Sequence, residues 1–407
     1  MPLENFSTFM LSLPDCCKDF SQEGIIEFTL PKKQHICPNC HEYTSRVHDY
    51  RKQTITTSES VRTGIKFVYR RRRYRCLNCG KVFSEKNNFI SKYQRMPQSD
   101  IIGIIQGHSE LAPSSAIAKR HGVSPTTAAR VFGYVSPISA TLDESISIDE
   151  FRGNAGTKFQ VVINSLTERR CLNVLPDRSP DKLYESMLSY SLDERLKVKH
   201  VSIDLSASFK KLAQECFPNA EIAADHFHAV RMANDAADQV RKEVQSKLDV
   251  GQKKYFKHSR RLLLKREKDL TEDENHALQA MLNYSDRLSA AYAMKEQYFK
   301  MFDSKDGTEF SKKLKDFQKA VEAQDIKGFT TLLKTTIKWK KELIHGIATG
   351  FNNGFTEGCN TTIKTIKRIG YGYRNFNNFR RRIMFTLNND HRRSCRNVCH
   401  SEKDLCA

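Results

Sequence analysis

The sequence lacks the features of a membrane or secreted protein. Its uninterrupted apolar runs, such as Ile101 to Ile105, stop well short of the roughly 18 residues that a membrane-spanning helix needs. The N-terminus, with Glu4, Asp15 and Lys18, does not have the pattern of a signal peptide. These absences predict a soluble cytoplasmic protein with reduced thiols and no membrane partner.

The sequence has few acidic residues relative to basic ones. It contains 47 Asp and Glu and 67 Lys and Arg, which gives a net charge of +20. A surplus of this size favours a polyanionic partner, because bound cations release the counterions condensed on nucleic acid. A basic protein without such a partner is the alternative. Two clusters predict DNA-binding faces, the first with Arg70, Arg71, Arg72, Arg73 and Arg75, the second with Lys364, Lys367, Arg368, Arg374, Arg380, Arg381 and Arg382.

Twelve cysteines would suggest disulfides in a small secreted chain, but this chain is long and rich in lysine. Two CxxC pairs, Cys37 with Cys40 and Cys76 with Cys79, can instead present four thiolates to one zinc ion in tetrahedral geometry. The β-prone segments between them predict that each pair lies at the tip of a hairpin, and Gly80 suits a turn residue with positive φ. A structural zinc ribbon is therefore expected, with a redox dithiol as the alternative.

Another group of potential ligands lies near the C-terminus. Cys395, Cys399, His400 and Cys406 have ligand-like spacing, but they lie among arginines in a stretch that has the pattern of a polar tail. A second metal site and an ordinary tail are both open interpretations.

The stretch after residue 113 has the pattern of a helix-turn-helix. A short amphipathic helix ends near Gly122, and a second helix follows Ser124, which can cap it, with Pro125 in its first position. In this motif the second helix enters the major groove of DNA. An ordinary helical hairpin is the alternative. The candidate DNA contacts on the second helix are Thr126, Thr127 and Arg130.

After Leu142 the sequence changes to short β-branched runs. Three closely spaced runs between residues 146 and 175 predict an antiparallel meander, and alternating helices and strands follow to about residue 224. This order is that of an RNase H-like α/β core.

Three acidic residues are candidate ligands for divalent ions. Asp149 lies in the first strand and Asp204 at the end of the fourth, where neighbouring strands bring their carboxylates together. Oxygen ligands suit Mg²⁺ or Mn²⁺, and two such ions can activate the attacking oxygen and stabilise the leaving oxygen in phosphodiester transfer. A third carboxylate, Glu357, shares a helical face with Asn360 and Lys364. Each acid also has a structural interpretation: respectively a strand-edge charge, a helix cap and a solvated face.

The 153 positions between Asp204 and Glu357 far exceed what this fold needs. Most of the excess, from about Arg241 to Lys340, is charged and has helical periodicity. We expect an all-helical insertion, which is either a solvated packing domain or, as in the enzymes that this sequence resembles, a domain that contacts DNA and a second subunit. Trp339, the only tryptophan, is expected to anchor a core rather than to stack on a flipped base.

Five segments of the sequence together resemble the ISL-three family of bacterial insertion-sequence transposases. The segments are Ser147 to Phe151, Ser202 to Leu205, Phe217 to His228, Asn353 to Lys364, and Gly370 to Phe376. The resemblance covers nearly the whole chain. It implies an N-terminal zinc ribbon and helix-turn-helix joined to a catalytic domain of the Asp-Asp-Glu type.

The resemblance also implies a reaction. Asp149, Asp204 and Glu357 would hold two Mg²⁺ or Mn²⁺ ions, and the substrates would be the inverted repeats of an insertion sequence and target DNA. Similar enzymes nick the element ends and use the freed 3′ hydroxyl to attack target DNA, here as a homodimer on double-stranded DNA in the bacterial nucleoid. Asp225 and His228 match the family's pattern after the second aspartate. These two residues, and Asn360, either hold the metal ligands in position or make structural hydrogen bonds.

Two rival functions are compatible with the same residues. One is a DNA-binding regulator derived from an inactive transposase, and the other is a nuclease on the same fold that cuts without joining. At 407 residues the chain is too long for one ordinary core, and a multi-domain α+β architecture is expected. The expected divisions are an N-terminal segment (1–25), zinc ribbon (26–95), helix-turn-helix domain (96–140), first part of the catalytic core (141–240), helical insertion (241–345), last core helix (346–390) and basic tail (391–407).

Overall fold

The computed structural model describes residues 18–19, 23–90, 94–136, 140–153, 157–350 and 354–389. Most of the expected N-terminal segment and the whole basic tail, with its Cys and His residues, lie outside the described residues. The chain is mixed α/β, as expected, and it divides into two units. The first comprises Met1–Ile138 and Ile363–Ala407, and the second Ser139–Thr362.

The first unit contains a sheet in the order β1-β2-β6-β5, with β7 paired to β6, and a separate antiparallel pair of β3 and β4. Alternate residues of its strands, including Phe28, Phe67 and Tyr69, are buried in a small core. The elements are β1 (Lys18–Asp19), β2 (Ile25–Thr29), β3 (His35–Ile36), β4 (Tyr43–Thr44), β5 (Val47–Ile55), α1 (Ser58–Thr63), β6 (Lys66–Arg75) and β7 (Val82–Ser84).

Four further helices of the first unit are α2 (Gln98–Gly107), α3 (Ser114–Arg120), α4 (Pro125–Phe132) and α16 (Phe376–Leu387). The first three share a core that includes Ile104, Ile117 and Ala128. Helix α16 joins this group, since the hydroxyl of Thr386 donates to the carbonyl of His108 at 3.3 Å. The stretch 346–390, expected in one piece with the catalytic core, is therefore divided between the units after Thr362.

The second unit contains a sheet in the order β10-β9-β8-β11-β12. Strands β8 to β10 form the predicted antiparallel meander, and β11 is parallel to both β8 and β12. Consecutive residues of β9, such as Val161 and Val162, are fully buried, because both faces of the sheet are covered. The elements are β8 (Ser145–Arg152), β9 (Phe159–Ser165), β10 (Arg170–Leu175), α5 (Pro180–Leu188), α6 (Leu192–Lys197), β11 (His200–Ile203), α7 (Ala207–Cys216) and β12 (Glu221–Ala224).

The remainder of the second unit is helical, as predicted, and it shares a hydrophobic core with the sheet. Trp339 is 3% exposed in this core, which confirms its expected use as an anchor. None of the helices in the described residues is long and apolar enough to cross a membrane. The helices are α8 (His226–Ser246), α9 (Val250–Leu264), α10 (Glu272–Leu282), α11 (Asp286–Phe302), α12 (Gly307–Gln324), α13 (Lys327–Lys338), α14 (Lys340–Thr349) and α15 (Gly354–Ile369), the last of which contains the boundary between the units.

Candidate catalytic and metal sites

Four cysteines lie together at two hairpin tips, as the CxxC spacing predicts. The Sγ atoms of Cys37 and Cys79 are 3.6 Å apart, and those of Cys40 and Cys76 are 3.4 Å apart. A tetrahedral zinc ion with Zn–S bonds of about 2.3 Å requires sulfur separations of about 3.8 Å. A backbone hydrogen bond from Lys81 is the largest influence lowering the pKa of Cys79 to about 6. For Cys40 the lowering effect of a backbone hydrogen bond with Glu42 is outweighed by burial and by the other three cysteines, which raise its pKa to about 11, so the assignment of the cluster depends on the sulfur separations. The cluster therefore fits a metal ion bound by thiolates.

The two turns that carry these thiols have the same backbone geometry. His41 N–H donates to the carbonyl of Cys37 at 3.0 Å, and Gly80 N–H donates to the carbonyl of Cys76 at 3.1 Å. Both residues after the second cysteine have positive φ, +60° for His41 and +71° for Gly80. The turn role predicted for Gly80 is confirmed, and each turn positions its two sulfurs locally.

Two aspartates lie side by side at one end of the second unit's sheet. Strands β8 and β11 pair in parallel with Ile148 opposite Ile203, and Asp149 and Asp204 are the next residues. Burial, and then the negative charge of Asp204, raises the pKa of Asp149 to about 7. Burial likewise raises the pKa of Asp204. Two partly desolvated carboxylates in close proximity favour a cation between them.

Some buried oxygen atoms at this aspartate pair have no hydrogen-bond donor among the described residues. Asp149 accepts from the side chain of Asn360 at 2.7 Å and from the backbone N–H of Glu150 at 2.8 Å. The Oδ1 atoms of Asp204 and Asn360 are buried and have no hydrogen-bond partner within the described part of the chain. Buried acceptors without donors are costly unless a cation or water satisfies them. Carboxylate and amide oxygens in this arrangement fit a hard divalent cation.

Buried polar contacts fix the first turn of helix α15 against β8. The hydroxyls of Thr356 and Ser147 are 2.6 Å apart, and the amide of Asn164 donates to Thr356 at 3.3 Å. All three side chains are fully buried. The same helix carries Asn360 to Asp149. Sequence reasoning missed this network, although polar residues within otherwise apolar strands were a signal for it.

Glu357 follows Thr356 and is exposed at a pocket of about 300 Å³, which His228 also lines. The charge of His228 acts to lower the pKa of both Asp149 and Asp204, although burial outweighs it. The described residues contain two groups of three or more potential metal ligands within 4.8 Å, and none of Asp149, Asp204 and Glu357 belongs to either. The structure therefore places the two aspartates after register partners on neighbouring strands, and Glu357 in one pocket with His228.

Asp225 has a structural contact as well as an electrostatic one. It is 3% exposed, and it caps helix α8 by accepting from the backbone N–H of Phe227 at 3.1 Å. Its negative charge contributes to the raised pKa of Asp149 and of Asp204. The structural hydrogen bond that the sequence left as one option is present.

The arginine cluster of β6 is largely engaged inside its own sheet. Arg72 is 4% exposed; it pairs with Glu85 at 3.3 Å and donates to the hydroxyls of Tyr50 and Tyr74 at 3.4 and 3.3 Å. This finding corrects the expectation that Arg72 faces DNA. Arg70 and Arg73 form ion pairs within the sheet, Arg70 with Glu27 at 3.2 Å and Arg73 with Asp49. Arg71 donates to the backbone carbonyl of Glu85 at 3.2 Å. Arg75 is exposed.

The predicted cap and turn between helices α3 and α4 are present. Ser124 accepts from the backbone N–H of Thr127 at 3.1 Å, Pro125 begins the second helix, and Gly122 has φ +64°. The hydroxyl of Thr127 also contacts that of Ser124 at 2.9 Å, so it is already used in the cap. The other candidate DNA contacts differ in exposure: Thr126, Arg130, Lys364 and Arg368 are exposed, and Lys367 is half-buried.

Comparisons with known proteins identify transposases, apart from one short match. A family model of the ISL-three type, described as a transposase, matches residues 146–383. The chain is 26% identical over 363 residues to the transposase for insertion sequence element IS1001 of Bordetella parapertussis, which covers 84% of this chain and 86% of that protein. It is 23% identical over 252 residues to the transposase for IS1557 of Mycobacterium tuberculosis, which covers 56% of each. A 62-residue match, 37% identical, to an ATP-dependent protease of Lactococcus lactis covers only 15% of this chain and 20% of that protein.

Proposed function

The chain belongs to the ISL-three family of insertion-sequence transposases, and from this premise we propose that it binds the inverted repeats of its element and catalyses metal-dependent strand cleavage and strand transfer. One observation carries the proposal: Asp149 and Asp204 lie side by side and partly desolvated, and a buried oxygen of Asp204 has no partner among the described residues. Such a pair is suited to hard divalent ions and to phosphodiester chemistry.

In this proposal Asp149, Asp204 and Glu357 hold two Mg²⁺ or Mn²⁺ ions, which when bound supply Lewis acidity to the attacking and leaving oxygens. Asn360 orients Asp149 through its 2.7 Å hydrogen bond. Asp225 fixes the start of α8 and thereby the position of His228. Glu357 completes the site from α15, whose first turn is held by Thr356.

The fold supports the assignment at a finer level. A meander followed by two parallel strands, in the order β10-β9-β8-β11-β12, is the arrangement we assign to an RNase H-like core. The helices between β12 and α15 then form the insertion expected over 241–345. We assign a structural zinc ion to the four cysteines because four thiolates leave no coordination position open for catalysis.

We assign DNA binding to the first unit. Thr126 and Arg130 lie exposed on the second helix of the helix-turn-helix, and Arg75 lies exposed at the end of β6. Lys364 and Arg368 add exposed positive charge. These side chains can contact phosphates or base edges, whereas Arg72 is assigned to the core. We further propose that two copies of the chain act together on DNA, one at each end of the element.

The decisive experiment incubates the protein with a labelled element end and a target plasmid. We expect cut ends and joined products with Mg²⁺ or Mn²⁺ and neither with Ca²⁺, whose larger, looser coordination suits in-line transfer poorly. Cutting without joining would support the nuclease, and binding without cutting would support the regulator. Either result would overturn the proposed function.

A further inference from the structure

Three metal-ligating side chains lie together outside the proposed catalytic centre. His200 begins strand β11, Glu221 begins β12, and His345 lies in helix α14. One potential ligand atom from each residue lies within 4.8 Å of the other two. This is one of the two such groups in the described residues, the other being the four cysteines. No part of the proposed reaction uses it.

The distances suit coordination of a transition-metal ion. Nδ1 of His200 is 3.2 Å from Nε2 of His345, and the two rings stack with centroids 5.4 Å apart. Two nitrogens that bind one tetrahedral zinc ion at about 2.0–2.1 Å are about 3.3 Å apart. Nδ1 of His345 is 2.9 Å from Oε2 of Glu221. The Glu221 side chain is 70% exposed, so its carboxylate can reorient towards an ion at little cost.

The backbone holds these residues in place before any ion binds. His200 and Glu221 are register partners on adjacent parallel strands. Helix α14 approaches β12 so closely that a Cβ on Gly346 would lie 3.1 Å from the carbonyl oxygen of Ala224. Such a preorganised set loses little conformational entropy on binding.

The group is separate from the aspartates, although the same strands carry both. Strand β11 begins with His200 and is followed by Asp204, and β12 begins with Glu221 and is followed by Asp225. At about 3.3 Å per residue, the two ends of these strands are roughly 13 Å apart. An ion at the histidine end would therefore not share ligands with ions at the aspartate end.

We propose that His200, Glu221 and His345 bind a divalent transition-metal ion, zinc or one with similar ligand preferences, which clamps α14 to the end of β11 and β12. Imidazole nitrogens select this class of metal over Mg²⁺. Three protein ligands leave one position for water, so the ion should exchange more readily than one enclosed by four thiolates. The inference is independent of the proposed transposition chemistry.

The test uses the full chain with its cysteine site already filled by zinc and its aspartate site occupied by excess Mg²⁺, titrated with Co²⁺. We expect one further equivalent of Co²⁺ to bind with the visible d–d absorption of a nitrogen and oxygen site and without a thiolate charge-transfer band. His345→Gln should remove this equivalent. His276→Gln, which removes an exposed histidine from α10 of the same unit, should retain it.

A second variant protects the test against misfolding. Glu221→Gln alters a largely exposed side chain and should weaken Co²⁺ binding by about tenfold or more, as loss of a ligand or of a carboxylate that orients one does. In parallel, added Zn²⁺ should raise the melting temperature reported by Trp339 fluorescence in the unaltered protein and not in His345→Gln. The proposal is overturned if the unaltered protein binds no Co²⁺ beyond its cysteine site, or if Glu221→Gln and His276→Gln bind it equally.

Discussion

The four-cysteine cluster and the aspartate pair are assembled in different ways. Each turn of the cluster positions two cysteines that are three residues apart in the sequence. The CxxC spacing therefore predicts the arrangement of the two sulfurs within each turn, although not how the two turns meet. The proposed catalytic carboxylates come from three separate elements: Asp149 lies in β8, Asp204 follows β11, and Glu357 lies in α15. The first and the last are 208 positions apart. The first site depends on local turns, whereas the second depends on strand register and on polar contacts to α15.

The largest effect is expected at the aspartate pair. Asp204→Asn should lower strand cleavage by about a thousandfold or more, because metal ions contribute several kcal/mol to such reactions and each 1.36 kcal/mol is tenfold in rate. The amide keeps the shape of the carboxylate, so end binding should change little. The measurement is cleavage of a labelled end beside a gel shift. Asp193→Asn, exposed on α6, is the control and should remain active; equal loss in both variants would contradict the assignment.

The next effect separates the cysteine site from the catalytic one. Cys76→Ser should lose about one zinc per chain and most end binding, because three ligands no longer close the tetrahedron that holds the ribbon. The melting temperature of the second unit should not change. Fluorescence of Trp339, the only tryptophan, reports it. Cys171→Ser, a buried cysteine of the second unit, is the comparison and should retain zinc. Full zinc and full end binding in Cys76→Ser would disprove the zinc ribbon.

A smaller effect is expected from pH in protein without added divalent ions. The pKa of Asp149 is about 7 in the folded chain and about 3.9 when unfolded, so the folded state holds the proton more tightly. Stability of the second unit should therefore fall as pH rises from about 4 to about 7, by about 3 kcal/mol, since a pKa difference of one corresponds to about 1.36 kcal/mol. Denaturant titrations followed by Trp339 fluorescence can measure this.

Asp149→Asn should flatten that pH dependence, and Asp193→Asn should preserve it. Added Mg²⁺ should oppose the loss of stability at neutral pH, because the bound ion favours the ionised carboxylates. An identical pH dependence in both variants would show that Asp149 does not titrate as the structure implies.

The smallest effect concerns the arginines of the first unit. Arg130→Ala should weaken end binding and reduce the slope of log affinity against log salt by about one unit if Arg130 contacts a phosphate. Arg72→Gln should instead destabilise the unit, because it leaves Glu85 buried without its partner. Salt titrations of both variants, with thermal melts, distinguish the two roles. A reduced salt slope in stable Arg72→Gln would place this side chain at the DNA.

The difference in assembly also explains which parts of the structure could be predicted from sequence. The hairpin-tip cysteines, the Ser124 cap and the three-strand meander follow from local spacing and alternation, and the structure contains all of them. The burial of Arg72 did not follow, because alternation along β6 gives two faces and only the tertiary fold decides which is covered. The contact of Thr356 with Ser147 joins residues 209 positions apart, and no local pattern encodes it.

The most direct test of the central claim concerns Glu357, the exposed carboxylate that lines one pocket with His228. The measurement is cleavage and joining of a labelled element end by Glu357→Gln in Mg²⁺, with end binding measured on the same preparation. We expect binding within about twofold of the unaltered protein and a loss of both reactions of about a thousandfold. Substantial cutting by this variant would contradict a three-carboxylate site and remove Glu357 from it.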